Sequence, residues 1–300
     1  MSVKSHSPIL RIVLVISVMV MSQSCDKLGL GKGPTEPSGP PAAGSAIVYS
    51  AVGASDANGV GSSVPCAPFD TQCENGMGYV PVTARALKTQ GFNVTLLNLG
   101  IPTAVIGRDF QTLGQQYNRI IAGNFIDQEM MFVQPNATIV TIFAGINEVN
   151  VVTAALGGGA GGSDPNGYMD AQVRAFGADY TTLLAGIRTR AGSPRIVVLN
   201  VPNPAGLPYL AGTSLAQRQA AQRIGVAMTR TVVNPLLSSN LVVVDLMCDS
   251  RSYIPSNYAS DGLHPNDAGY AYIASEVLKA ITSASYPAPQ TSCPAMTIVP

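Results

Sequence analysis

The side chains best suited to covalent chemistry in this sequence are one serine, one histidine and one aspartate. Ser55 lies in the stretch GASDANGVG, after an apolar run that predicts a buried strand. Asp261 and His264 lie three residues apart in the stretch DGLHP. Serine becomes a good nucleophile when an imidazole, itself held by a carboxylate, takes its proton. We therefore interpret Ser55 as a nucleophile, His264 as its base and Asp261 as the group that orients the base. The competing interpretation of Ser55 is a helix cap.

The number of histidines narrows the choice of base. The sequence contains only His6 and His264. His6 lies in a segment with the pattern of an export signal, in which Lys4 and Arg11 precede the apolar run 12–20. Cleavage of that signal would leave His264 as the only imidazole. A lone histidine is more often a surface or capping residue, but the neighbouring aspartate, the glycine turn and the loop position favour a role as base.

Acyl transfer also needs hydrogen-bond donors directed at the oxyanion that forms. Gly100, in NLGI, follows a second predicted strand, and its bare backbone N–H can approach a substrate closely. Asn147, in GINE, follows a third strand and offers a side-chain amide. The backbone N–H of Ser55 is the third candidate donor. Taken singly, Gly100 and Asn147 are ordinary turn or cap residues. Their common position after strands is what favours an oxyanion hole.

The elements that must position these residues alternate between strand and helix. Short apolar runs predict five strands, at 46–52, 93–98, 138–144, 195–200 and 241–246. Longer amphipathic stretches predict helices at about 76–90, 112–132, 168–190, 214–236 and 266–282. Near-continuous apolar runs are typical of parallel strands that are covered on both faces. We therefore expect one α/β domain, a three-layer α/β/α sandwich around a five-stranded parallel sheet.

In such a sheet the ligand site lies beyond the carboxyl ends of the strands. The loops expected there are 53–70, 100–108, 145–168, 200–213 and 249–265. Every candidate site residue falls within one of them. We interpret residues 149–168 as a mobile flap over the site. Pro202, Pro204 and Pro208 are expected to stiffen a loop that lines the acyl or alcohol pocket.

The order Ser55, Gly100, Asn147, His264 resembles the four sequence blocks of the SGNH hydrolases, the GDSL-type esterases and lipases. The resemblance covers roughly residues 45–283, and SDGLHPNDAGY is its most specific part. It implies a flavodoxin-like sheet, catalysis by Ser55 and His264 with Asp261, and no cofactor or metal. It also implies an oxyanion hole formed by Ser55, Gly100 and Asn147.

Two blocks depart from the family pattern. The first block usually has Gly-Asp-Ser-Leu, whereas Asp56 here follows the serine instead of preceding it. The third block usually ends in Asn-Asp, whereas here it ends in Asn147-Glu148. We interpret Asp56 as a cap of the helical turn after Ser55.

The α/β-hydrolases are a rival family, but their nucleophile elbow needs glycine where this chain has Ala57.

The N-terminus predicts export and a lipid anchor. Residues 1–24 resemble a lipoprotein signal peptide, and Ser22-Gln-Ser-Cys25 resembles a lipobox, with Ser22 where leucine is usual. The alternative is an ordinary secretion signal cut nearby. Residues 25–44 would be a Pro/Gly-rich tether, 45–285 the hydrolase domain and 286–300 a C-terminal tail. We expect a protein of the cell envelope that is attached to a membrane through lipid on Cys25.

The remaining four cysteines are expected to form disulfides, as is usual in exported proteins. Four cysteines allow three pairings. We pair Cys66 with Cys73 because they enclose a short loop, and Cys248 with Cys293. Zinc is set aside because the chain has two histidines and no Cys-x-x-Cys stretch.

The composition excludes some partners. Seventeen basic residues balance seventeen acidic ones, which argues against nucleic-acid binding.

The sequence favours a monomeric serine esterase for short acyl or acetyl esters, with envelope glycan or lipid esters as further substrates. The alternative is a non-catalytic envelope lipoprotein that binds a glycan or lipid in the same cleft.

Overall fold

The computed structural model describes residues 39–71 and 73–300. The predicted signal peptide, Cys25 and the tether up to residue 38 lie outside the described residues. Within the described ranges, no helix is long and apolar enough to cross a membrane.

Five parallel strands form one sheet in the order β2-β1-β3-β4-β5. They are β1 Ala46–Gly53, β2 Asn93–Asn98, β3 Ile139–Phe143, β4 Arg195–Leu199 and β5 Leu241–Val244. Every residue of β3, β4 and β5 is buried, as the continuous apolar runs predict. The predicted five-stranded parallel sheet is confirmed.

Eight α-helices connect or flank the described strands. They are α1 Ser55–Asn58, α2 Tyr79–Thr89, α3 Arg108–Gln116, α4 Phe125–Gln128, α5 Ile146–Gly157, α6 Pro165–Ala191, α7 Leu215–Met228 and α8 Asp267–Thr282. The predicted helix at 112–132 is divided, because Asn118 takes a left-handed φ of 56° after α3. The predicted helix at 214–236 is α7, followed by a π turn and a 3-10 turn.

Two apolar cores lie on the two faces of the sheet. One contains Phe110, Phe176 and Ile224 from α3, α6 and α7. The other contains Leu87 and Val277 from α2 and α8. Strand side chains alternate between these cores, since successive residues of a strand point to opposite faces. This arrangement confirms the predicted three-layer sandwich.

The strand order places a topological switch point between β1 and β3. After β1 the chain adds β2 on one side of β1, and β3 later pairs with the other side. In doubly wound sheets with this order, the crevice at the carboxyl ends of the two switch-point strands is the usual ligand site. Ser55 follows β1 and Asn147 follows β3, so both candidates lie at that crevice.

The interpretation of residues 149–168 as a mobile flap is wrong for most of the segment. Residues 149–157 belong to α5, and Val149, Val151 and Val152 are buried in the core. A second helix, α6, begins at Pro165, and only a short glycine-rich turn joins the two. The apolar residues of α5 anchor it to the sheet, so it forms a wall beside the site.

Both predicted disulfides are present in the structure. Cys66 bonds to Cys73, and Cys248 bonds to Cys293, with Cα separations of 5.7 and 5.8 Å. The second bond ties the C-terminal segment to the loop after β5. That segment packs on the domain, since Met296 and Val299 are buried.

Candidate active site

Ser55 is presented by a tight turn at the end of β1. It is the first residue of α1, which ends at Gly59 in a left-handed conformation with φ 73°. Position 53 favours glycine, because the Cβ of any other residue would lie only 3.0 Å from the Ala57 Cβ. The helix forms with Ala54 as its N-cap and without a side-chain capping bond. The Ser55 hydroxyl is therefore not used as a cap.

A buried carboxylate that sequence reasoning missed supports this turn. The Gly53 N–H donates to Oε2 of Glu129 at 2.9 Å. Glu129 is fully buried, and burial raises its pKa well above the usual value for glutamate. It lies in a stretch predicted simply as amphipathic helix, and no local motif marks it. Its position fixes the strand end from which Ser55 follows.

Ser55, His264 and Asp261 form a hydrogen-bonded chain. His264 Nε2 lies 2.8 Å from Ser55 Oγ. On the other side of the ring, His264 Nδ1 lies 2.6 Å from Asp261 Oδ2. Asp261 Oδ1 accepts from the backbone N–H groups of Leu263 and His264, at 2.9 and 3.0 Å. The structure thus brings the three predicted residues together in the order that a serine nucleophile requires.

The electrostatics of Asp261 fit an ionised partner for the imidazole. Burial acts to raise the pKa of Asp261, but the hydrogen bonds from the His264 side chain and from the two backbone N–H groups outweigh it. The net result is a pKa below the usual range for aspartate. The carboxylate therefore keeps its charge at neutral pH, and that charge favours a proton on Nδ1.

The loop that carries the histidine is held on several sides. Gly262 has φ 69°, and a Cβ there would lie 2.7 Å from the backbone N of Tyr209. Asn266 caps α8 by accepting from two backbone N–H groups. Ser63, in the loop after Ser55, donates to Asp267 through both its N–H and its hydroxyl, each at 2.7 Å. These contacts join the nucleophile loop to the histidine loop.

The three predicted oxyanion donors lie on neighbouring loops, and two of them, Asn147 and Gly100, also donate to a protein acceptor. Asn147 Nδ2 donates one hydrogen to the Ala104 carbonyl at 2.8 Å, which leaves its second hydrogen free for a ligand. The Gly100 N–H donates to Asn98 Oδ1 at 3.2 Å, so an oxyanion would share or replace that long bond. The Ser55 N–H belongs to the first turn of a helix and has no partner within it.

Gly100 is required for packing as well as for access to its N–H. A Cβ at this position would lie 2.8 Å from the Ala57 Cβ and 3.0 Å from the Ala54 carbonyl oxygen. The backbone of Gly100 therefore lies directly against the turn that bears Ser55.

Glu148 joins two of the loops that bear candidate donors. Its Oε1 accepts from the Ile106 N–H at 2.6 Å, and its Oε2 accepts from the Gly145 N–H at 2.8 Å. Burial raises the pKa of Glu148 to about 7. Glutamate is one methylene longer than the aspartate that is usual at this position of the third sequence block. The Glu148 side chain therefore spans from the start of α5 to the loop after β2. This bridge holds Asn147, the preceding residue, beside the Gly100 loop.

Asp56 does not cap the helix as predicted, because α1 has no side-chain capping bond. It is instead buried behind the imidazole, where Asp56 and His264 both line a small cavity of about 30 Å³. Burial raises the pKa of Asp56, while the charge of His264 acts in the opposite direction. Pro202 lines the same small cavity, so the proline-containing loop does border the site.

A larger cavity of about 680 Å³ opens beside the triad formed by Ser55, His264 and Asp261. We call it the α5 cavity. It lies between α5, the 3-10 turn Pro208–Leu210, the start of α7 and Arg119, and Leu263 connects it to the histidine loop. Its size is within the range of small-molecule binding sites.

Comparison with known proteins identifies the family. The model of the GDSL-like lipase/acylhydrolase family matches residues 51–272. The chain belongs to this family. The matched range includes Ser55, Gly100, Asn147 and His264, and the family hydrolyses esters. The protein is therefore a carboxylic ester hydrolase of the SGNH/GDSL type.

Two solved structures are similar to this chain at low sequence identity. A lipase from a goat rumen metagenome is 17% identical, with a TM-score of 0.54 over 80% of this chain and 100% of that chain. An acetyl xylan esterase variant from Geobacillus stearothermophilus is 15% identical, with a TM-score of 0.49 over 78% of this chain and 94% of that chain. No curated protein sequence matches this GDSL-like hydrolase significantly.

Proposed function

We propose that this GDSL-like hydrolase cleaves carboxylic esters through an acyl intermediate on Ser55, with His264 as general base and acid. The observation that carries the proposal is the hydrogen-bonded chain Ser55–His264–Asp261, with distances of 2.8 and 2.6 Å. A serine hydroxyl, an imidazole and a carboxylate at these distances suit proton transfer from Oγ to Nε2.

The first half-reaction forms the acyl-enzyme. Ser55 Oγ attacks the ester carbonyl carbon while its proton moves to His264 Nε2. The carbonyl oxygen becomes an oxyanion and accepts hydrogen bonds from the Ser55 N–H, the Gly100 N–H and Asn147 Nδ2. The intermediate collapses when the bond to the alcohol oxygen breaks. The alcohol leaves with the proton from Nε2.

The second half-reaction releases the acid. Water attacks the acyl carbon and gives a proton to His264 Nε2. The second tetrahedral intermediate uses the same donors. Its collapse breaks the bond to Ser55 Oγ, which takes the proton back, and the carboxylic acid leaves. Asp261 stays ionised throughout and stabilises the imidazolium that forms in each half-reaction.

We also propose that the enzyme acts in the cell envelope on short acyl or acetyl esters, including esters of envelope glycans or lipids, as a monomer. The lipobox-like stretch ending at Cys25 supports export and anchoring. The two disulfides support an oxidising compartment.

A fluorophosphonate probe tests the nucleophile directly. Stable labelling of the wild-type protein, lost in Ser55→Ala, is the expected result, with the labelled peptide identified by mass spectrometry. A panel of p-nitrophenyl esters of rising acyl length then ranks the substrates. A folded protein that neither reacts with the probe nor hydrolyses any ester would contradict the acyl-serine mechanism and favour a binding role.

A further inference from the structure

The α5 cavity lies along the helix α5 that begins near the proposed oxyanion donor Asn147, and Leu263, next to His264, also lines it. Asn147 lies at the start of this helix, and Asn150, Ala154 and Gly157 line the cavity. Asn147, Asn150, Ala154 and Gly157 follow one another at steps of three or four residues, which places all of them on one helix face. At 1.5 Å per residue this face extends for about 15 Å. A substrate held at Ser55 can therefore reach well beyond its scissile bond along this wall.

The lining of the cavity carries one formal charge. Its polar groups are hydroxyls and amides, such as those of Thr153, Thr213 and Gln217. Among the residues that the structure describes, Arg119 is the only charged residue that lines the cavity. None of the described residues that line the cavity has a carboxylate that could neutralise this charge.

Arg119 is held in place by its backbone and has a free side chain. Its N–H donates to the Gly114 carbonyl at 2.8 Å, after the left-handed Asn118 that ends α3. The Tyr117 ring packs against Gly158, at the C-terminal end of α5. Within residues 39–71 and 73–300, the guanidinium of Arg119 has no hydrogen-bond or ion-pair partner. Its five donors are available to a ligand.

The start of α7 adds potential of the same sign. Ser214 caps this 14-residue helix by accepting from the Gln217 N–H at 3.2 Å, and both residues line the cavity. The first turn of α7 contains no acidic residue, although acidic side chains commonly occupy first turns and offset the positive end of the helix dipole. Arg119 provides a full positive charge in the cavity. The N-terminal end of α7 adds a partial positive charge, which strengthens the attraction of an anion.

We propose that the α5 cavity selects esters that carry a negatively charged group remote from the scissile bond, with Arg119 as the partner of that anion. This inference rests on the proposed esterase function and names the class of substrate for the same site. The neutral hydroxyl and amide side chains between Asn147 and Arg119 suit the polar middle part of such a substrate.

The test compares anionic and neutral esters of equal length. For the acyl side, p-nitrophenyl monoesters of dicarboxylic acids of rising chain length are compared with the same compounds capped as methyl esters. For the alcohol side, acetates of ω-hydroxy carboxylic acids are compared with their methylamides. We expect the anionic member to have a kcat/KM at least about fivefold higher at one chain length, in one of the two arms, since partly exposed charge pairs contribute modestly. Added salt should reduce this preference.

Variants of Arg119 assign the preference to its charge. Arg119→Gln should abolish the anionic-to-neutral ratio, Arg119→Lys should retain part of it, and Arg119→Glu should reverse it. The matched control is Arg188→Gln, which replaces an exposed arginine in the last turn of α6. This turn precedes the amino end of β4, whereas the site lies at the carboxyl ends of the strands. This control should keep the wild-type ratio. Because each ratio is taken within one variant, differences in folded fraction cancel.

Two results would overturn the inference. One is a ratio near one for wild type in both arms at every chain length. The other is an Arg119→Gln protein with a lower melting temperature and an unchanged ratio, which would make Arg119 only a cation at the C-terminal end of α5. Hydrolysis of neutral p-nitrophenyl acetate with Ser55 labelling distinguishes these failures from failure of the esterase function itself.

Discussion

His264 Nε2 lies 2.8 Å from Ser55 Oγ, although 209 positions separate the two residues in the chain. Parallel strands make this contact possible, because the loops that follow them all emerge at one edge of the sheet. Ser55 follows β1, and His264 lies in the loop before α8. The contact therefore depends on correct folding of the whole sheet, whereas the Asp261–His264 pair depends on one turn.

Replacement of either Ser55 or His264 by alanine should remove nearly all turnover of a simple ester. The double variant should be little worse than either single variant, because triad members act as one unit. Initial rates with p-nitrophenyl acetate, together with circular dichroism to confirm folding, provide the measurement. Wild-type rates in His264→Ala would show that the imidazole is not the base.

Asp261→Asn should lower kcat by about a thousandfold while leaving the fold intact. An asparagine amide can donate to Nδ1, which would place the imidazole proton on Nε2, where it cannot accept the proton of Ser55. The amide oxygen of the asparagine can still accept both backbone N–H bonds that Asp261 Oδ1 accepts now, so the melting temperature should change little. A kcat within tenfold of wild type would mean that Asp261 does not control the tautomer.

The sheet and the triad could be predicted because their signals are local. Four of the five strands are near-continuous apolar runs, and the aspartate and histidine occupy one short loop. The long-range contact to Ser55 followed from the rule that loops after parallel strands share one edge. Asn147 and Gly100 were found in the same way, as residues in the loops that follow strands.

Other parts of the site depend on tertiary burial, which the sequence does not display. Glu129 supports the nucleophile turn from 76 positions away, and only its complete burial distinguishes it from a surface glutamate. The glycine-rich run 157–162 led to the prediction of a flap, although the apolar spacing of residues 149–155 was that of a helix. Asp56 was predicted to be a cap and is buried behind the imidazole.

Asn147→Ala should lower kcat by about a hundredfold or more, with a smaller effect on KM. Removing one oxyanion donor costs roughly this much, because the hydrogen bond strengthens as the carbonyl oxygen gains charge. The variant also leaves the Ala104 carbonyl without its donor. Asn166→Ala, which removes an exposed amide in the first turn of α6, is the control for loss of an asparagine amide outside the site. Equal losses in kcat for both variants would contradict a specific role for Asn147.

Cys25→Ser should release the protein from membranes into the soluble exported fraction. The reason is that a lipidated cysteine would be the only membrane attachment proposed for this chain. Cell fractionation with immunoblotting measures the shift, and intact-mass analysis of the wild type should show a lipid on the mature N-terminus. A wild-type protein that is wholly soluble, with its N-terminus elsewhere, would contradict lipidation.

The pH dependence of stability should report the buried carboxyl of Glu148. Burial raises its pKa from 4.5 to about 7, so between these values the folded protein retains a proton that the unfolded chain has released. Stability contributed by this residue is therefore lost as pH rises through that window. Between pH 5 and 8 the free energy of unfolding should fall by roughly 2 kcal/mol on account of Glu148 alone.

Glu148→Gln provides the comparison, because it keeps the size of the side chain and removes its titration. Other buried carboxyls with raised pKa values, including Glu129 and Asp56, remain in both proteins. Urea unfolding at pH 5 and 8 gives the change in the free energy of unfolding with pH for each protein. The wild-type change minus the variant change is the contribution of Glu148. The variant should show the smaller change with pH. It should also have a lower kcat, because the glutamine amide would face one of the two N–H groups that now donate to Glu148 and would displace Asn147. Equal pH dependence in the two proteins would show that Glu148 does not titrate in this range.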